Sequence, residues 1–270
     1  MHFARFAALS SLVVALAAGV ALARDRGADG KWSTRRSSHF ELFQDVALER
    51  YSGPDGSRAF ETALLSVLES AHTRVRDGLG VEPRNRVRVF VYDPGVFDSA
   101  FSSRFGFRAA GFWDGAIQVR GGTRVSAQLV GTLTHEYVHA ALASLAPPEI
   151  WPAWLNEGLA ELFERASLGR VQLTTSEDAE LRGAVARGQW IPLANLGGSS
   201  FSQLGQADAQ LAYLESFACA ERMLRRYGRE RVERLVEELA KTRMLERSLQ
   251  RALRTDLATL EAELIAELTR

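Results

Sequence analysis

Thr134-His135-Glu136-Tyr137-Val138-His139 is followed, past Pro147-Pro148, by Trp154-Leu155-Asn156-Glu157-Gly158-Leu159-Ala160-Glu161-Leu162-Phe163-Glu164, and these two segments decide how the chain is read. The first lies in a run from Val125 to Leu145 whose apolar residues recur at helical spacing. Two histidines four residues apart stand about 40° apart around a helix, so both imidazoles leave one face, one turn apart. They can grip one ion. Glu136 is turned about 100° from His135, which brings its carboxylate beside that ion but outside its ligand set. A second, antiparallel helix after a short turn returns a carboxylate to the face that carries the histidines. Two imidazoles, one carboxylate and an open position suit a catalytic zinc ion, and a nearby base makes its bound water a nucleophile.

Outward from this centre, the two sides of the chain differ in period. Upstream, His39-Phe40-Glu41-Leu42-Phe43 and Arg86-Val87-Arg88-Val89-Phe90-Val91-Tyr92 alternate as strands do, with a helical run from Ala59 to Val75 between them. Asp93-Pro94-Gly95 reads as a turn, Phe97 to Gly111 as a Phe- and Gly-rich stretch, and Phe112 to Arg120 as two strand segments around Asp114-Gly115. From Thr123 onward the period is helical almost throughout, and Gly197-Gly198-Ser199-Ser200 marks a loop or hinge. The Glu- and Arg-rich tail from Arg229 to Arg270 reads as a solvated helical pair. A strand-rich first half and an all-helical second half predict an α+β fold. The expected divisions are a leader at 1–23, a sheet region at 24–122, the helices of the site at 123–196 and a helical lobe at 197–270.

Glu157, Glu161 and Glu164 share one helix face, and only one can be the principal ligand. Glu157 is nearest the turn and precedes Gly158, whose bare Cα lets two helices approach closely. Glu161, one turn on, is suited to hydrogen-bond the far nitrogen of a ligating histidine. Glu164 reads as a partner for Arg165 or as solvated.

His135-Glu136-Tyr137-Val138-His139 with Asn156-Glu157-Gly158-Leu159-Ala160 resembles the gluzincin peptidases, relatives of thermolysin and the aminopeptidases, and in particular small bacterial peptidase-MA-like proteins. The specific resemblance covers roughly His135 to Glu164, with a weaker one at Tyr213-Leu214-Glu215-Ser216-Phe217 and Arg226-Tyr227-Gly228. It implies that Glu157 is the third zinc ligand, that Glu161 matches the acid one turn later, and that a mixed sheet packs on the active-site helix with its edge strand binding extended peptide. It also places Tyr213 near where gluzincins contribute a tyrosine, which makes Tyr213 the candidate oxyanion donor, ahead of Tyr137, whose neighbours suggest packing behind the metal helix. No Gly-X-Met-Glu-Asn type of motif precedes the zinc helix, which disfavours exopeptidase action, and the acidic calcium-binding clusters of large secreted relatives are absent from the sequence.

The remaining features bound the function. Residues 1–23 have a short basic start, an apolar run too short for the roughly 20 residues of a membrane span, and an Ala21-Leu22-Ala23 ending, as in a cleaved signal peptide. The expected location is the periplasm or the medium, with no stable membrane span after cleavage. Thirty-three basic residues balance 33 acidic ones, so no global charge argues for nucleic acid as a partner. Cys219 is the single cysteine, which rules out an intrachain disulfide and reads as a small buried hydrophobe. His39 and His72, the other histidines past the leader, read as structural or exposed. The substrate cleft is expected between the zinc helix and the strand at Phe112 to Arg120, where proline at Ile117 or Val119 would impair peptide binding. The function expected is zinc-dependent cleavage of internal peptide bonds with Glu136 as base. Its alternatives are a zinc-binding but non-catalytic cell-envelope protein and a zinc hydrolase of a non-peptide substrate. The sequence leaves the oligomeric state open.

Overall fold

The computed structural model describes residues 32–46, 48, 54–101, 109–198, 200–201 and 204–270. The leader expected at 1–23, residues 102–108 of the Phe- and Gly-rich stretch and Ser199 lie outside them. The architecture is α+β: a five-stranded mixed sheet built from the N-terminal half and, among the described residues, nine α-helices that lie mostly after it. The strands are β1 (Ser33–Arg36), β2 (Phe40–Gln44), β3 (Val87–Tyr92), β4 (Gly111–Trp113) and β5 (Ile117–Arg120). Their order across the sheet is β1-β2-β3-β5-β4, with β2, β3 and β5 parallel and the two outer strands antiparallel to their neighbours.

Alternation sorts the strand residues onto two faces. Phe40, Leu42, Val89, Val91, Ile117 and Val119 join the main core together with the helices. On the opposite face Phe90, Tyr92 and Phe112 form a separate aromatic cluster with Phe97 and Phe101. Those two phenylalanines belong to α2 (Pro94–Phe101), a helix in place of the expected turn. Asp93 starts it, accepting from the Gly95 N–H at 2.9 Å, and Pro94 suits the first helical position, where no N–H is needed. The helix before it, α1 (Pro54–Leu79), extends the expected Ala59 to Val75 run at both ends.

The site elements are α3 (Ala127–Leu145) and α4 (Ala153–Ser167). Ser126 caps α3, its hydroxyl accepting from the Leu129 N–H. The connection is pinned by Trp151, whose indole N–H donates to the Ala146 carbonyl, and by Trp154; both rings are buried. The segment read as a loop or hinge meets the start of α4: the carbonyls of Leu196, just before it, and of Gly198 accept from the first amides of that helix, Trp154 and Ala153, at 3.1 and 2.7 Å. After α5 (Thr175–Ala186) and α6 (Gln206–Tyr227), the tail forms three helices, α7 (Arg229–Thr242), α8 (Leu245–Ala252) and α9 (Leu257–Leu268), where a solvated pair was expected. They are amphipathic, and Val232, Leu235, Leu239, Leu249, Leu260 and Leu264 enter the main core. No helix of the described residues is long and apolar enough to cross a membrane.

Candidate metal centre

The i, i+4 spacing on α3 and the anchored start of α4 bring His135, His139 and Glu157 together. Glu157 Oε2 lies 3.3 Å from His135 Nε2 and 3.5 Å from His139 Nε2. Ligand atoms about 2.0 Å from a tetrahedral ion are separated by about 3.3 Å, so these three donors have the spacing of one ion's coordination shell. The other ring nitrogens are occupied. His135 Nδ1 meets Glu164 Oε2 at 2.9 Å and His139 Nδ1 meets Asn156 Oδ1 at 3.0 Å. Both partners are acceptors, so each Nδ1 carries the proton and each Nε2 keeps its lone pair for the metal.

The charges agree with this fit. Burial disfavours protonated His135, but its hydrogen bonds to Glu157 and Glu164 outweigh burial and hold the imidazole well above its ordinary range. His139 is raised as well: burial again lowers it, and the Glu157 charge and hydrogen bond prevail. Glu157 is nine-tenths buried, yet its two histidines keep its carboxyl far below the usual range. Without an ion, two raised imidazoles stand around one carboxylate. A dication in their place neutralises the same pocket without those protons.

Glu136 sits outside this set, buried beside it, and burial raises its pKa although His139 and His135 pull it down. It lines a cleft of about 640 Å³ with His135, His139, Glu157 and Tyr213, and with Gly111, Trp113 and Asp114 from the β4 hairpin. Tyr213, on α6, packs its ring edge-on against Phe201 at 5.1 Å. Its hydroxyl is pushed up by burial and by the charges of Glu157 and Glu136.

Two expectations about the carboxylates are corrected. Glu161, expected to hydrogen-bond the far nitrogen of a ligating histidine, accepts instead from Arg165 Nε at 3.0 Å, and Glu164, expected to pair with Arg165 or to be solvated, makes such a bond to His135 Nδ1. The cause is at Gly131, one turn before His135: a Cβ there would come within 2.8 Å of Glu164 Oε1, so the bare Cα is what admits this side chain. Glu161 stays close enough to group with His135 and Glu164, but its charge is turned to Arg165, which also pairs with Glu177 at 2.7 Å. Gly158 does permit a close approach, though to α6 and not to α3: a Cβ would meet the Ser216 carbonyl oxygen at 2.4 Å.

The expected binding strand is corrected too. Ile117 and Val119 are on β5, paired on both sides and fully buried, so proline there would break the sheet. β4 is the terminal strand. The Arg120 N–H donates to the Ala110 carbonyl and the Asp114 N–H to the Ala116 carbonyl. Even-numbered residues therefore turn to β5, and Gly111 and Trp113 direct their backbone groups to the outer edge. Sequence reasoning assigned no role to Asn156 or Gly131. The signals were present, an amide directly before the ligand carboxylate and a glycine four residues before the first histidine. No family model, curated protein or solved structure matches the chain.

Proposed function

We propose that this protein is an exported zinc metallopeptidase of the gluzincin type that cleaves internal peptide bonds. The observation that carries the reading is the convergence of His135 Nε2, His139 Nε2 and Glu157 Oε2, with both Nδ1 atoms anchored and a buried Glu136 outside the triad. Export rests on the leader-like residues 1–23.

His135, His139 and Glu157 would hold zinc, which supplies a Lewis acid for the scissile carbonyl and lowers the pKa of a water. Glu136 takes the proton from the attacking water and delivers it to the leaving amine. Its burial suits the first step, because burial raises its pKa and makes the carboxylate a better proton acceptor. Tyr213, whose hydroxyl keeps its proton, donates to the oxygen on which charge develops. Glu164 and Asn156 hold the ligand rings in orientation and tautomer.

The substrate is taken to lie along β4 as an added strand, held by the outward backbone groups of Gly111 and Trp113. Packing of the sheet against the ligand helix supports this arrangement: a Cβ on Gly111 would come within 2.7 Å of Thr132 Cγ2 on α3, so β4 runs close to the helix only as glycine. Main-chain recognition gives affinity with little side-chain preference.

A diverse peptide library incubated with the protein and read by mass spectrometry tests the reading. Internal cuts that a chelator abolishes and zinc restores are expected. A zinc-loaded protein that leaves every peptide intact would overturn it.

A further inference from the structure

His39, just before β2, and His72, on α1, stack their rings at 3.6 Å between centroids and 12° between planes. His72 is almost wholly buried, and its two nitrogens fare differently. Nδ1 is hydrogen-bonded to the Tyr137 hydroxyl at 2.8 Å, whereas Nε2 is buried without any hydrogen-bond partner. A buried polar atom left unpaired is costly and uncommon, and an ion is one of the few things that explains it. The Glu82 carboxylate faces it: Oε1 lies 3.6 Å from His72 Nε2 and 3.8 Å from His39 Nε2. The far nitrogen of His39 is occupied as well, with Nδ1 2.6 Å from Glu69 Oε2 and the His39 backbone N–H donating to Glu69 Oε1.

We propose that His39, His72 and Glu82 form a second site for a divalent transition ion of the zinc type, on the side of the ligand helix marked by Tyr137. The arrangement follows the logic of the first centre: two Nε2 atoms and one carboxylate oxygen converge, and each Nδ1 is tied to a group that orients the ring. A plain His–Glu ion pair explains it less well. The distances exceed those of hydrogen bonds, and an ion pair would leave His72 Nε2 buried without a partner. The observed separations exceed the about 3.3 Å of a tetrahedral shell by a few tenths of an ångström. Stacked rings carry their lone pairs side by side, so His39 tilts out of the stack on binding. The Glu69 carboxylate that holds His39 Nδ1 is itself partly exposed and turns with the ring, and Glu82 is exposed.

The ion would clip the start of β2, helix α1 and the α1–β3 connection together. With Nε2 committed to the metal, His72 donates from Nδ1 to the Tyr137 hydroxyl, and Tyr137 adjoins Glu136 on α3. The second site thus steadies the ligand helix through this bond, and its existence does not depend on the peptidase reading.

The test titrates Zn2+ into the full chain carrying His135→Ala and His139→Ala, which disables the first centre. One equivalent should bind and raise Tm, and adding His39→Ala or Glu82→Ala should abolish that binding. Should the double variant not fold, the wild type and His39→Ala are compared by metal analysis, with two equivalents expected against one. A folded double variant that binds no zinc, binding that survives His39→Ala, or equal stoichiometry in that comparison would overturn the proposal. A wild type whose single equivalent is lost with His39→Ala alone would support this site and refute the first.

Discussion

Replacing Glu164 by Ala removes the acceptor that holds His135 Nδ1 and leaves the three proposed ligands in place. The bond is 2.9 Å long and charge-assisted, and the carboxylate is 29% exposed, so solvent screens part of it. Hydrogen bonds to charged groups contribute about 1.5–3 kcal/mol, and partial exposure puts this one near the lower end. A loss of about 1.5–2 kcal/mol corresponds to roughly 10- to 30-fold weaker zinc binding, within the range for partners of metal-bound histidines. Glu161→Ala is the matched control. It removes a carboxylate one turn nearer Glu157, but one that faces Arg165, and Arg165 keeps Glu177. Its effect on zinc should stay within about threefold. Competition with a chromophoric chelator at fixed pH reads both affinities. A greater loss from Glu161→Ala than from Glu164→Ala would refute the assignment of Glu164 as the group that orients His135.

Trp113→Pro deletes one outward N–H of β4 and should raise KM about tenfold, the value of one hydrogen bond, with zinc content unchanged and Trp113→Phe near wild type; equal KM values for the two variants would remove β4 from the binding site. Gly158→Ala places a methyl against the Ser216 carbonyl and should cost about 1–3 kcal/mol in urea denaturation, whereas an unchanged midpoint would mean that α4 and α6 are not in close contact. Glu215 is fully buried, accepts from the Ile191 N–H, and has its pKa pushed up from 4.5 to about 8 by burial. The native state therefore binds more protons than the unfolded state between those values, so this group makes stability fall as pH rises from 4.5 to 8. Glu215→Gln should flatten that part of the stability profile, and an unaltered slope would show that Glu215 is ionised in the native protein.

The parts of the site that sequence made legible are those set by local spacing. His135 and His139 share a face because four residues make just over a turn, and Glu157 follows the turn that reverses the chain. The choice between Glu161 and Glu164 was not legible, because it depends on how α4 crosses α3 and on the space at Gly131. The identity of the edge strand likewise required the order β3-β5-β4, which no local pattern encodes. β1 escaped because Ser33-Thr34-Arg35-Arg36 is a mostly exposed edge without apolar alternation. In the tail, charge on one helix face concealed the leucines and valines that the other face buries.

The central claim is that Glu136 performs chemistry at a metal it does not hold. The most direct measurement compares Glu136→Gln with the wild type for zinc content and peptide cleavage in the same preparation. The account predicts equal zinc and no cuts from the variant. Wild-type turnover by Glu136→Gln, or loss of its zinc, would contradict it.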